Sequence, residues 1–149
     1  MTVVTRKFNF IVQLAVIVGL SGIQCARAEA GGGIELNEAA FKFATDLIEQ
    51  GHVIADSKGS WSEHHPSIVQ GNEFIRVYGL PEYAKWYLGV DRRFSETSKR
   101  RYKFPYGDFK NVHRCGLLAA KARARQYGYT DIKEAATELV RSIKTKPKD

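Results

Sequence analysis

Two cysteines, one methionine, two tryptophans and four prolines are all that this 149-residue chain holds of those residues, and each scarcity narrows the field. Cys25 lies in an N-terminal apolar stretch and Cys115 stands alone in the remainder, so a chain trimmed of that stretch has no intramolecular disulfide. No C-x-x-C and no H-x-x-x-H spacing occurs, which removes the common zinc motifs. No P-loop, no G-x-S-x-G and no paired carboxylates are present, so the most legible phosphoryl-transfer, serine-hydrolase and acid–base signatures are missing. There is no heptad array, internal repeat or N-x-[ST] acceptor. β-Branched alternation over four or more residues is nearly absent, and this predicts an all-α domain.

Residues 1–28 read as a signal peptide. Arg6 and Lys7 make a positive start, Phe10 to Ile23 is mostly apolar, and Ala26-Arg27-Ala28 supplies the small residues of a cleavage site. The uncharged run falls short of the roughly 20 residues that span a bilayer. The expected product is therefore an exported domain, periplasmic or secreted, with no stable membrane span; the alternative is a cytoplasmic or membrane-anchored chain. Gln24, bulky and directly before Cys25, argues against lipidation. Cleavage leaves 121 of the 149 residues, enough for one domain. It also lowers the formal charge from +7 to +4, because Arg6, Lys7 and Arg27 leave with no acid. That is a mildly basic domain.

The punctuation of the remainder predicts a flexible linker over 29–36, one small helical domain over 37–143 with about four to five helices, and a disordered tail over 144–149. Asn37 caps a helix Glu38–Gln50 that Gly51 ends. His52 to His65 reads as a loop with Trp61 as its anchor. A second helix covers Ser67–Tyr78, and Pro81 opens a short third, Glu82–Leu88, whose Tyr83, Trp86 and Tyr87 form an inward aromatic patch. Asp108 is placed to cap a fourth helix, Phe109–Gln126, with Gly128 beyond it. A last helix starts at Asp131, where Asp131 and Glu134 spell a capping box.

On the fourth helix, Lys110, Arg114, Lys121 and Arg125 fall within an arc of roughly 60°. Together with Arg100, Arg101, Lys103, Phe104 and Tyr106 they form the candidate binding surface, basic side chains interleaved with aromatics. Such a surface suits single-stranded nucleic acid, an acidic protein or an envelope partner, and it also arises where basic stems merely cover a core. Export favours the protein or envelope partner over nucleic acid.

Cys115 shares a face with Val112, Leu118 and Ala119 and reads as a packing residue. His113, Arg114 and Cys115 are consecutive on this helix, so His113 and Cys115 diverge by roughly 160° and form no Cys–His pair. His52, His64, His65 and His113 are the only imidazoles available to a zinc or copper site. Neighbouring histidines ahead of Pro66 point opposite ways, so they read as a solvated or N-capping pair. No catalytic residue, metal or cofactor is assigned on this reading. It favours a non-enzymatic binding or structural module over a nucleic-acid-binding helical module or a thiol enzyme using Cys115.

Trp61, Glu63-His-His-Pro-Ser67, Asn72-Glu-Phe-Ile75, Tyr83-Ala-Lys-Trp-Tyr-Leu-Gly-Val-Asp91, Tyr102-Lys-Phe-Pro-Tyr-Gly-Asp-Phe109, Val112-His-Arg-Cys-Gly116 and Asp131-Ile132 resemble a family of small bacterial proteins with no established activity. The Phe104 to Arg123 stretch bears a fainter likeness to helical modules near phage head-maturation genes. The family pattern has histidine where this chain has Tyr87, and its members usually lack a leader. The resemblance implies a neighbourhood and no reaction.

Overall fold

Each expected helix with a well-formed cap is present. The computed structural model of the chain describes residues 33–145; the signal peptide expected at 1–28 and residues 146–149 of the expected tail lie outside them. Helix α1 spans Glu38–Gln50, with Asn37 Oδ1 accepting from the Ala40 amide at 3.4 Å and Gly51 closing it in the left-handed region. A one-turn helix α2 spans Trp61–His64. Helix α3 spans Ile68–Tyr78 behind a capping box between Ser67 and Gln70, and α4 is a short turn over Leu80–Ala84. Helices α5, Arg114–Tyr127, and α6, Thr130–Thr145, pack along one another at the C-terminus.

The all-α expectation is overturned, because five short strands in two sheets accompany the six helices and make this a mixed α/β fold. Strands β1 (Ile34–Leu36), β3 (Tyr87–Asp91) and β4 (Tyr102–Pro105) form an antiparallel sheet in the order β1-β3-β4. Strands β2 (Val53–Ile54) and β5 (Val112–His113) pair in parallel. The physical reason is length. Strands of two to five residues are too short to display alternation, and β3 is covered on both faces, so Leu88, Gly89 and Asp91 are all buried. β1 occupies the end of the stretch expected as a linker. β3 takes Tyr87 and Leu88 from the end of the expected third helix. The expected capping box of α6 is also absent from the geometry: Asp131 Oδ2 instead accepts the Leu36 amide at 3.0 Å and ties α6 to β1.

The core lies between α1, the three-stranded sheet and the α5/α6 pair. Ala40, Ala44 and Ile48 meet Trp86, Leu88 and Tyr106, which in turn meet Leu117, Ala120 and Ala124 from α5 and Ile132, Ala136 and Leu139 from α6. Tyr106 is fully buried and donates its hydroxyl to the Lys85 carbonyl at 2.6 Å. Two glycines permit close approaches here. A Cβ on Gly89 would stand 2.6 Å from Phe104 Cδ2, so the Phe104 ring lies directly across β3. Phe104 itself has φ +62°, a strained conformation for a bulky residue that costs about 1–3 kcal/mol. Gly116 lets Trp61 lie flat on the first turn of α5: a Cβ there would stand 2.8 Å from the Tyr106 carbonyl oxygen and 2.9 Å from Trp61 Cζ3. Among the described residues, no helix is long and apolar enough to cross a membrane.

Gly116→Ala forces one of those two rigid neighbours to move, and an overpacked core of this kind loses about 1–3 kcal/mol. Urea denaturation of wild type and variant measures it, as a lower midpoint with an unchanged slope.

Candidate metal centre

The parallel pairing of β2 with β5 sets Ile54 opposite His113. Two residues further along both chains, Asp56 stands beside Cys115, and the register of this two-residue ladder positions the site. His113 has extended backbone, φ −95° and ψ 123°, and offers α5 no side-chain cap. The cap comes from the other chain segment: Asp56 Oδ1 accepts the Cys115 amide at 2.6 Å, placing a carboxylate on the positive end of α5. Arg114 Nη1 donates to the Asp56 carbonyl at 3.2 Å and holds the same loop.

The other carboxylate oxygen gathers the site. Asp56 Oδ2 lies 2.7 Å from His64 Nδ1, 2.7 Å from His113 Nδ1 and 2.9 Å from Cys115 Sγ. Cys115 Sγ is 3.7 Å from His64 Nδ1. One candidate ligand atom from each of Asp56, His64, His113 and Cys115 falls within 4.8 Å of the other three. α2 presents His64, and the Trp61 ring, with its centroid 6.1 Å from that of His113, shields one side. Cys115 and His113 are buried, and the His64 side chain, 35 % exposed, is the one opening to solvent.

The electrostatics of this cluster ask for a cation. Oδ2 is approached by three polar atoms, two imidazole nitrogens and a thiol, whereas an sp² oxygen has two lone pairs. His113 is addressed by carboxylates at both ring nitrogens, Asp56 at Nδ1 and Asp108 Oδ2 at 3.2 Å from Nε2. The Asp108 contact is close but off the ring N–H direction, so Nε2 has no hydrogen bond in good geometry. The His113 ring therefore stands between two carboxylates, Asp56 at Nδ1 and Asp108 near Nε2, an acidic setting that a cation would balance. Burial alone would raise the Asp56 carboxyl, but bonds from the Cys115 thiol, His113, the Cys115 amide and His64 outweigh it and hold the group well below the usual carboxylate range. Burial and the neighbouring Asp56 carboxylate push the Cys115 thiol up to about 12. Without a cation the sulfur is a poor nucleophile.

These positions correct two expectations. His113 and Cys115 do not diverge, because α5 begins at Arg114 and not at Phe109; His113 ends a strand, and its Nδ1 and the Cys115 Sγ both reach Asp56 Oδ2. Asp108 is no N-cap: its Oδ1 accepts the Lys110 and Asn111 amides in a turn ahead of β5. Cys115, expected as a packing residue, is buried but donates its thiol to a carboxylate. His52 and His65 stay outside the cluster, the latter with Nδ1 3.1 Å from the Pro66 carbonyl oxygen. Asp56, the hub, had no sequence reading at all.

The residues of the expected binding surface are scattered. Arg100 lies 4.4 Å over the Phe94 ring and Lys103 lies 5.3 Å from it, while Arg101 is largely buried and donates to the Phe94 carbonyl at 2.7 Å. Phe104 is half-buried against Tyr129, and Tyr106 belongs to the core. Lys110 precedes α5, and Arg114 is engaged with the Asp56 loop; only Lys121 and Arg125 remain as a stripe on the helix. Comparison of the chain with protein families, with curated proteins and with solved structures finds no match.

Proposed function

We propose that this chain is a metal-binding domain in which Asp56, His64, His113 and Cys115 hold one zinc ion. The observation that carries the reading is the convergence of two imidazole nitrogens and a thiol on a single carboxylate oxygen. One oxygen, two nitrogens and one sulfur make a donor set suited to zinc. The charge also balances: a carboxylate and a thiolate neutralise a divalent ion, where otherwise a buried carboxylate faces a protonated thiol. Asp108 beside His113 Nε2 supplies the outer carboxylate that fixes the tautomer of a metal-bound histidine. The fit requires one adjustment. Ligand atoms of a tetrahedral zinc stand roughly 3.3–3.7 Å apart, as Sγ and His64 Nδ1 already do, so the Asp56 carboxylate would draw back by roughly half an ångström.

Four protein ligands close the coordination shell, which is the arrangement of a structural site. The ion would staple the loop after β2, 57 to 59 residues away in sequence, and the α2 turn, whose His64 is 51 residues from Cys115, to the start of α5. A non-enzymatic role, with the metal stiffening a scaffold for binding, agrees with this closed geometry better than a thiol enzyme does.

Purified full-length chain should carry about one zinc per molecule by elemental mass spectrometry. Cobalt replacing it should show the intense visible bands of a tetrahedral site and a thiolate charge-transfer band that Cys115→Ser removes. A chain that arrives metal-free and takes up no cobalt overturns the reading.

Chelation should lower Tm by about 10 °C or more, as expected for the loss of a few kcal/mol of linked binding energy. If His113 is simply an imidazolium between two aspartates, chelator leaves the melt unchanged. Asp108→Asn, which keeps an acceptor but removes the charge, should weaken zinc affinity about tenfold, within the range for outer-shell changes. Because the Cys115 thiol must lose its proton to ligate, affinity rises with pH. Calorimetry in buffers of different ionisation enthalpy reads the proton released.

A further inference from the structure

A second concavity lies on the other side of Trp61 from the metal centre. It encloses about 480 Å³, within the range of about 300–1,000 Å³ typical of small-molecule sites. Its walls are apolar and largely aromatic, with Ile34, Trp61, Phe94, Phe104 and Tyr129 around a floor of Ala119 and Ala120 from α5. The small residues of α5 leave the space open, and Phe104, held in its positive-φ conformation over Gly89, forms one side. Three cations stand at the rim: Arg93, Lys103 and Arg123. Arg93 is spent on Asp91, which it grips through Nε and Nη2 at 2.9 Å each. Lys103 and Arg123 have no carboxylate partner among the described residues; each lies against an aromatic face, Lys103 at Phe94 and Arg123 at Tyr127. Asp91 is the one acid in the lining. Its charge is answered mainly by Arg93 and also felt by Lys103, so three cations and one acid leave the lining a net charge of +2 beside an apolar chamber.

We infer that this pocket binds a small organic anion, a carboxylate or sulfonate on an aromatic body, with the rings among Phe94, Phe104 and Tyr129 and the anionic group between Lys103 and Arg123. The apolar chamber supplies burial, the aromatic walls favour a flat body, and the two unpaired cations select the charge. A nucleic-acid strand fits less well. The concavity is a single half-open site and not a track, and the remaining basic residues do not continue it. The inference does not depend on the metal centre, because the cationic rim and the aromatic walls other than Trp61 lie apart from Asp56, His64, His113 and Cys115.

The test titrates the full chain, as purified, with 8-anilinonaphthalene-1-sulfonate and follows its fluorescence. Saturable binding of one probe per chain is expected. 2-Naphthoate should displace it, and the methyl ester of 2-naphthoate, equal in shape but uncharged, should be at least about tenfold weaker. The Lys103→Ala/Arg123→Ala double variant should weaken the probe about tenfold. Both side chains lie at the surface, so circular dichroism of the variant should match wild type. Ala119→Leu fills the floor and gives a second, charge-neutral variant that should also lose probe. Absence of saturable binding, equal displacement by acid and ester, or unchanged affinity in both variants overturns the proposal. Decanoate separates the aromatic from the aliphatic form of the ligand: displacement as strong as that by 2-naphthoate refutes the aromatic body.

Discussion

The carboxylate of Asp56 is the interaction on which the rest of this structure turns. One oxygen caps α5 through the Cys115 amide, and the other collects His64, His113 and the Cys115 thiol. His113 and Cys115, both buried, would be left with unsatisfied or unbalanced polar atoms without it. Removing one partner from a buried charged cluster commonly costs about 3–5 kcal/mol. The penalty here would fall on a junction that the hydrophobic core secures only through Val112 and, in part, Val53. β2 and β5 are two residues each, and α2 is a single turn. Elements that short do not hold register by themselves. The Asp56 loop needs a polar clasp, or a metal, to stay where the ladder puts it.

Carboxylates do similar work elsewhere. Asp131 fastens the start of α6 to the β1 backbone, and Asp91, buried at the end of β3, is paired in two places with Arg93. The Arg93 guanidinium holds the Asp91 carboxyl below its ordinary value. The fold thus places an acid at each seam between a short strand and its neighbours, where backbone pairing runs out. Asp56 differs from the other two in what it faces. Asp91 meets a permanent cation and Asp131 meets backbone amides, but Asp56 meets two imidazoles and a thiol, groups of types that can ligate a metal and that carry no fixed charge.

Legibility in the sequence follows the same division. α1 and α3 were readable because their caps are local: Asn37 and Ser67 stand one residue before the helices they start, and Gly51 and Gly79 stand at their ends. The start of α5 was not readable, since its cap is a carboxylate 59 residues away. Asp108, at a plausible local position, served as a decoy. That single boundary error moved His113 from a strand to a helix and turned two convergent side chains into divergent ones. The strands escaped notice because none exceeds five residues and the most buried, β3, is covered on both sides. Candidate histidines were visible by type. Asp56 was not, because an aspartate in a Gly- and Ser-containing loop looks like any turn residue.

Trp61 connects the two sites. It starts α2, which delivers His64 to the cluster, and its indole rests on Gly116 at the head of α5 while lining the apolar pocket beyond. Ordering α2 therefore does two things at once: it brings an imidazole to Asp56 and it closes one wall of the chamber. The same glycine serves both, since only a residue without a Cβ leaves room for the indole between the Tyr106 carbonyl and the helix. A metal held by Asp56, His64, His113 and Cys115 would fix α2 from one side, and a ring in the pocket would press on Trp61 from the other. Each ligand would reduce the freedom that the other must remove, which is the thermodynamic condition for positive coupling without any large movement. The small size of α2 makes that coupling physically reasonable. A four-residue helix has little stability of its own, so whatever holds Trp61 or His64 holds the other.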